Sequence, residues 1–325
     1  MEKLVSIVVT SYNHAEFLHQ RMESLFAQTW KNIEIIVVDD CSTDLSRDYL
    51  KQFENYPKVR LCFLESNKGY VYASNFGVSQ SKGELIVFAE CDDFSEPDQI
   101  ESLYKEITSN NSISVCFSGS NIIDEKGRHL GFDFDERNWA FQKFCQSDVL
   151  ISGKQLLKMM LQANVVRNMS AAMFKKSDFN RIEGLTEKYQ LSADYDLWIR
   201  MAEVGDFFYI KKPLNNFRTH PTTLRNKLGT TIQLLEMLDI IRYIKTKIRL
   251  SFRENWELNM HLGKRWFHFV KNEFNLFRTT FSTVFLKALQ KEPLLIPFII
   301  LNIPVLGAKK ILKAILPIPE KWTLY

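Results

Sequence analysis

The sequence predicts an α/β fold: a doubly wound, mostly parallel sheet with a helical extension at its C-terminal end. Three observations carry this. Short, apolar, β-rich runs recur through the first 120 residues. Helical periods lie between them. After about residue 225 the pattern becomes purely helical. The β-rich runs are LVSIVVT (4–10), IEIIVVD (33–39), VRLCFL (59–64), ELIVFAE (84–90) and ISVCFSG (113–119). Near-continuous apolar runs of this length fit strands buried on both faces of a parallel sheet.

Phe17, Met22, Leu25 and Phe26 mark one intervening helix, and Tyr72, Ala73, Phe76 and Val78 another. Ser95 to Pro97 opens a third, with proline where a first helical turn tolerates it. Strands alternating with helices give a doubly wound domain. Residues 121–224 are less regular and contain helices at 153–162 and 194–204. Beyond 225, Leu234, Met237, Leu238, Ile241, Ile244 and Ile248 recur every three or four residues. A second stripe follows at Phe267, Val270, Phe274, Phe277, Phe281 and Phe285.

With 325 residues, 46% of them hydrophobic, the chain can bury a core of normal size, as one large domain or two smaller ones. The opening MEKLVSIVVTSYN has no charged region leading into an apolar core and cleavage site. A cytoplasmic protein without a signal peptide is therefore expected. The five cysteines, Cys41, Cys62, Cys91, Cys116 and Cys145, form no CxxC pair. They are read as reduced thiols rather than a disulfide framework or a zinc site. Net charge is +4, but it is unevenly spread. Residues 1–224 hold 25 Lys/Arg against 31 Asp/Glu, and residues 225–325 hold 17 against 7. A catalytic domain at 1–224 and a basic region at 225–325, drawn to an anionic partner, are expected.

Open α/β sheets bind ligands beyond the carboxyl ends of their strands, and polar residues cluster there. Thr10-Ser11-Tyr12-Asn13 follows the first run, and Asp39-Asp40-Cys41-Ser42-Thr43-Asp44 the second. Asn67-Lys68-Gly69 follows the third, and Glu90-Cys91-Asp92-Asp93 the fourth. Packed carboxylates such as Glu90, Asp92 and Asp93 repel one another, and Mg²⁺ or Mn²⁺ shared with substrate phosphates relieves that cost. A solvated acidic turn is the alternative. Asp39 and Asp40 can accept a hydrogen bond from a base N–H or a ribose hydroxyl, or cap the following helix. Gly69 suits close backbone approach or a positive φ.

Asp194 and Asp196 open an apolar helix and point to different sides of it, so one of them faces the site. That residue can act as a base toward a sugar hydroxyl or as a helix cap. Arg218 can hold a diphosphate, and His220 can complete a metal site.

The order VSIVVTSYNHAEFL, IEIIVVDDCSTD, NKGYVYASNFG, GELIVFAECDDF and SADYDLWIRMAEVG closely resembles glycosyltransferase family 2 over residues 1–222. The resemblance implies a Rossmann-like GT-A fold and inversion at the anomeric carbon. It implies nucleoside contacts from Thr10, Tyr12, Asp39 and Asp40, and nucleotide-side contacts from Asn67, Gly69 and Asn75. Asp92 and Asp93 match metal and ribose carboxylates, Asp194 the catalytic base, and His220 a histidine near the metal and diphosphate. Glu90 departs from the more common Asp and, one methylene longer, is not expected to bind metal directly. The implied partners are a nucleotide-sugar donor, UDP-linked, and a saccharide or lipid-linked glycan acceptor of the bacterial surface-polysaccharide type. Nucleic acid is not among them.

The aromatic stripe of the tail carries Lys264, Arg265, Lys271 and Arg278 among its polar positions, as in helices that lie in a membrane interface. The apolar run at 293–308 is short and is interrupted by Pro293, Pro297 and Pro304. It falls below the roughly 18 residues of a spanning helix. Peripheral attachment to the inner membrane face is expected, against the alternative that these helices pack on the catalytic domain. Two other functions compete. A nucleotidyltransferase needs a glycine-rich basic loop after the first strand, and TSYNHAEF lacks one. A membrane-bound scaffold that binds donor without turnover leaves Asp194 without a purpose.

Overall fold

The structure is a computed structural model and describes residues 2–220 and 230–273, with side chains of the second stretch described from Ile232 to Arg265. The chain divides into two units, Met1–Lys227 and Leu228–Tyr325. The first is built on one mixed sheet. Its strands are β1 (Val5–Ser11), β2 (Ile33–Asp39), β3 (Val59–Phe63), β4 (Leu85–Glu90), β5 (Phe94–Ser95), β6 (Ile113–Ile123), β7 (His129–Phe132), β8 (Val149–Ile151), β9 (Ala172–Lys175) and β10 (Asp206–Arg218). They lie in the order β3-β2-β1-β4-β9-β6-β10-β5, with β7 on β6 and β8 on β10.

Strands β1 to β4 pair in parallel, and β1, β2 and β4 are buried almost throughout, as their apolar runs require. On one face, Leu18, Met22 and Leu25 of α1 (Ala15–Phe26) and Ile100 and Leu103 of α4 (Gln99–Ser109) cover Val5, Ile7, Val9, Ile35 and Val87. On the other, Ala73 and Phe76 of α3 (Tyr70–Gln80) pack on Ile36 and Val38. A short helix, α2 (Ser46–Lys51), follows β2. The chain moves outward from β1 to β2 and β3, then returns to place β4 on the other side of β1. Such a reversal opens a crevice at the carboxyl edge. Register sets the edge level: Ser11 lies beside Asp39, and Thr10 beside Glu90.

The run read at 113–119 is longer than expected and is antiparallel to β9. The expected third helix starts at Gln99, because β5 takes up Phe94 and Ser95. Residues 121–224 hold four strands that the sequence reading left irregular. β10 has register shifts between Ile210 and Pro213 and between Pro213 and Asn215, which break its two-residue alternation. β9 has only four residues. Around them lie α5 (Trp139–Phe144), α6 (Gly153–Met160), α7 (Lys176–Arg181) and α8 (Ala193–Ala202), so the helices expected at 153–162 and 194–204 both form, with shifted ends.

The second unit contains α9 (Thr230–Lys247) and α10 (Phe252–Glu273). Met237, Leu238, Ile241, Ile244 and Ile248 of the predicted stripe are buried. Among the described residues no helix is long and apolar enough to cross a membrane. Most of the second stripe and the run at 293–308 lie outside the described residues.

Helix α3 approaches β1 closely at Gly77, where an added Cβ would run into Val8 Cγ1. Gly77→Ala is expected to lower stability in urea unfolding by about 1–3 kcal/mol, the usual cost of overpacking a core. An unchanged midpoint contradicts this close packing.

Candidate active site

The first two loops are joined by Asn13. Its Oδ1 accepts from the backbone N–H of Thr43 at 2.7 Å and of Asp44 at 3.3 Å, and its own N–H donates to Ser42 Oγ at 3.0 Å. It sits at φ 55°, a conformation that asparagine tolerates better than most residues. Asp39 Oδ1 accepts from the N–H of Ser42 (2.9 Å) and from Arg47 Nε (2.7 Å), while its buried Oδ2 has no partner among the described residues. A buried acceptor left open in this way needs a donor from elsewhere. Thr10 is half-buried, and Tyr12 and Asn67 expose their side chains at the same edge.

Three expected ligand contacts instead hold the site's own backbone. Asp40 accepts from the N–H groups of Lys68 (2.7 Å) and Gly69 (2.8 Å), one on each oxygen. It thereby fixes the loop entering α3, where Gly69 takes φ 85°. Asn75 donates to the carbonyl of Leu185 (2.8 Å) and accepts from its N–H (3.0 Å). Arg218 donates to the carbonyls of Asp92 (2.7 Å), Asp124 (3.1 Å) and Glu125 (2.9 Å) and to Gln20 Oε1 (2.6 Å). With its guanidinium also over the Phe17 ring, Arg218 clamps the acidic loop.

The acidic loop follows β4. Beneath it lies Arg21, fully buried, donating to the carbonyl of Glu90 at 2.8 Å and to Ser95 Oγ at 3.0 Å. Burial, then the charges of Asp93, Asp92 and Asp194, push the Glu90 carboxyl well above its usual pKa, with Arg21 opposing. Ser170 Oγ bridges the Glu90 N–H (2.9 Å) and its Oε2 (3.4 Å). Asp93 accepts from the Arg218 N–H at 2.9 Å and from Asn215 Nδ2 at 3.4 Å. Burial, then the Asp92 charge, raises its pKa to about 6.

Asp92 behaves differently. Burial opposes its charge, but the His220 hydrogen bond and the charges of His14 and His220 outweigh burial and hold its pKa below the usual value. Its Oδ2 lies 2.9 Å from His220 Nε2, and its side chain keeps 21% exposure. Asp93 keeps 2% and faces inward. Beside this pair, His14 Nδ1 meets Cys91 Sγ at 3.2 Å, and burial lowers the His14 pKa. A carboxylate and an imidazole that already converge suit Mn²⁺ better than the all-oxygen preference of Mg²⁺. Asp92 and His220 therefore fit the metal that the sequence implies, while Asp93 braces their loop.

Asp194 lies in the first turn of α8, where Asn164 Nδ2 donates to its Oδ2 at 2.9 Å. Its charge reaches Glu90. Asp196 turns away to pair with Arg200 at 2.7 Å. Sequence reasoning missed Arg21, His14, Ser170 and Asn164. Arg21 had a signal: with Phe17 and Leu25 at four-residue spacing, it is a charge on the apolar stripe of α1.

The profile of the family described as Glycosyl transferase family 2 matches residues 6–173, more than half of the chain, and the chain belongs to that family. It is 29% identical over 218 residues to the chondroitin synthase of Escherichia coli, covering 67% of this chain and 29% of that one. It is 28% identical over 228 residues to the hyaluronan synthase of Pasteurella multocida, covering 70% of this chain and 22% of that one. The chain thus spans less than a third of either synthase. Among solved structures, S. aureus TarS 1-349 in complex with UDP-GlcNAc matches with a TM-score of 0.61 at 17% identity, covering 93% of this chain and 82% of that one. The fold is GT-A.

Asp93 gives a pH signature to the metal-free protein. Its carboxyl holds a proton when folded and releases it when unfolded, between pH 3.8 and about 6. That stabilisation is complete below pH 3.8 and is lost as the pH rises through about 6. Asp93→Asn is expected to flatten this decline in urea midpoints measured across the window with chelator present. Coincident slopes for the two proteins contradict a raised Asp93 pKa.

Proposed function

We propose that this chain moves a sugar from a nucleotide-sugar donor, UDP-linked, to a hydroxyl of a saccharide or lipid-linked glycan, with inversion. The observation that carries the reading is the meeting of the Asp92–His220 pair with Asp194 around half-buried Glu90, at the edge where the sheet reverses. Supporting the donor class is the TarS complex with UDP-GlcNAc on the same fold. Supporting the acceptor class are relatives named as chondroitin and hyaluronan synthases.

In this reading the open Oδ2 of Asp39 accepts an N–H of the base. Thr10, Tyr12, Asn67 and Gly69 line the nucleoside and its phosphates. Asp92 and His220 hold Mn²⁺, or Mg²⁺ less well, with Asp93 supporting them. When bound, that ion supplies positive charge to the departing diphosphate. Asp194, oriented by Asn164, accepts the proton of the acceptor hydroxyl as the oxygen attacks the anomeric carbon from the face opposite the diphosphate. Arg21, Arg218 and Asp40 keep these groups in place, so little rearrangement is needed during reaction.

Asp194→Asn is expected to keep donor affinity nearly intact while transfer falls by roughly 10²–10⁴, the scale of general-base loss. Transfer within a few-fold of wild type reduces Asp194 to a helix cap. Binding of donor with no hydrolysis or transfer under any condition favours the scaffold reading instead.

For the C-terminal region the reading is peripheral attachment at the cytoplasmic membrane face, supported by its 17 Lys/Arg against 7 Asp/Glu. Each basic residue near anionic lipid adds about 1 kcal/mol. Full-length protein is expected to float with anionic liposomes, to bind neutral ones more weakly, and to be loosened only partly by salt. Indifference to anionic liposomes overturns this.

A further inference from the structure

We propose that His14, Cys91, Asp92 and His220 form a closed site for a thiophilic divalent cation of the zinc class, whose occupation switches transfer off. This rests on the reading of Asp92 and His220 as ligands of the catalytic metal. The ligand atoms of His14, Cys91 and Asp92 all lie within 4.8 Å of one another. His14 Nδ1 is 3.2 Å from Cys91 Sγ, and His220 Nε2 is 2.9 Å from Asp92 Oδ2. The two histidine rings stand edge to face, with centroids 5.4 Å apart. Tetrahedral zinc, with bonds of about 2.0–2.3 Å, sets its ligand atoms roughly 3–4 Å apart. The three grouped donors need to draw in by about 1 Å to reach that spacing, and His220, which stands outside the group but 2.9 Å from Asp92 Oδ2, supplies the fourth.

The chemistry of the donor set favours such an ion. Mn²⁺ and Mg²⁺ gain little from sulfur, whereas one thiol with two imidazoles suits zinc and cobalt. Coordination number then decides the outcome. A catalytic site keeps a position open for substrate, but four protein ligands fill a tetrahedral ion. No position is left for a phosphate oxygen, and Asp92 is withdrawn from the donor. On binding, the Cys91 S–H bond breaks, an Sγ–metal bond forms and the proton passes to the buffer. No oxidation state changes. The exposed part of the Asp92 side chain gives the ion its entry.

The test is a Co²⁺ titration of the reduced full-length chain, followed by displacement with Zn²⁺. A thiolate-to-cobalt charge-transfer band is expected, lost as one equivalent of Zn²⁺ is added. Cys91→Ser should abolish the band and weaken Zn²⁺ binding by at least the roughly 10- to 100-fold that loss of an outer-shell partner costs. Mn²⁺ affinity, read from the EPR signal of the free ion, should change by about threefold or less, since sulfur adds little to that ion. Cobalt binding without a sulfur band overturns the proposal. So does a Cys91→Ser protein, folded by circular dichroism, that binds Zn²⁺ as well as wild type does. If Cys91→Ser and Cys91→Ala fail to fold, a band that persists when the two less buried thiols are removed by Cys41→Ser and Cys62→Ser supports the proposal, and a band lost with them overturns it. Failure of the proposal alone leaves Mn²⁺ binding intact. Absence of Mn²⁺ binding, with and without UDP, brings down the metal reading of the active site as well.

Discussion

Arg21 rises from α1 to donate to the carbonyl of Glu90, and the carboxyls of Asp92, Asp93 and Asp194 all lie within electrostatic reach of Glu90. Two buried guanidinium groups, Arg21 and Arg218, stand against these four acids. Removing a partner from a buried charge cluster costs about 3–5 kcal/mol, so neither side of this arrangement is dispensable. The excess negative charge is absorbed in two ways. Glu90 and Asp93 hold their protons more tightly, while Asp92 stays ionised beside His220. Among the loop acids Asp92 combines partial exposure with a lowered pKa, and that asymmetry suits it to a cation.

The rest of the carboxyl edge keeps this loop in position. Arg218 spans residues 92 to 125 with one guanidinium, and its backbone N–H fixes Asp93. Asp40 ties the β2 loop to the start of α3, and Asn75 ties α3 to the chain leading into α8. These contacts join segments far apart in sequence. A site whose side chains are locked by such bonds reorganises little when charge develops on a substrate.

Much of this was legible in the sequence. Strands β1, β2 and β4 are buried on both faces, and their unbroken apolar runs say so. The four polar loops do gather at one edge. Strand β10 was hidden because its bulges interrupt the alternation that identifies a strand. At the site, residue type was readable but its direction was not. Asp39 and Asp40 are neighbours of the same chemistry, yet one keeps a buried oxygen open and the other gives both oxygens to a loop. The split between Asp194 and Asp196 was foreseeable, because residues two apart on a helix do not face the same side. Which of them faced Glu90 depended on Asn164, thirty residues away. His14 and Cys91 gave no spacing signal, since their contact joins the loops after β1 and β4.

The central claim is that the acidic loop is built to share a cation with the diphosphate of a nucleotide. Calorimetric titration of UDP into the metal-free chain, repeated with saturating Mn²⁺, tests this most directly. Tight binding that requires Mn²⁺, and that disappears when Asp92 is replaced by asparagine, is the predicted result. Equal UDP affinity in excess chelator and in Mn²⁺ contradicts it.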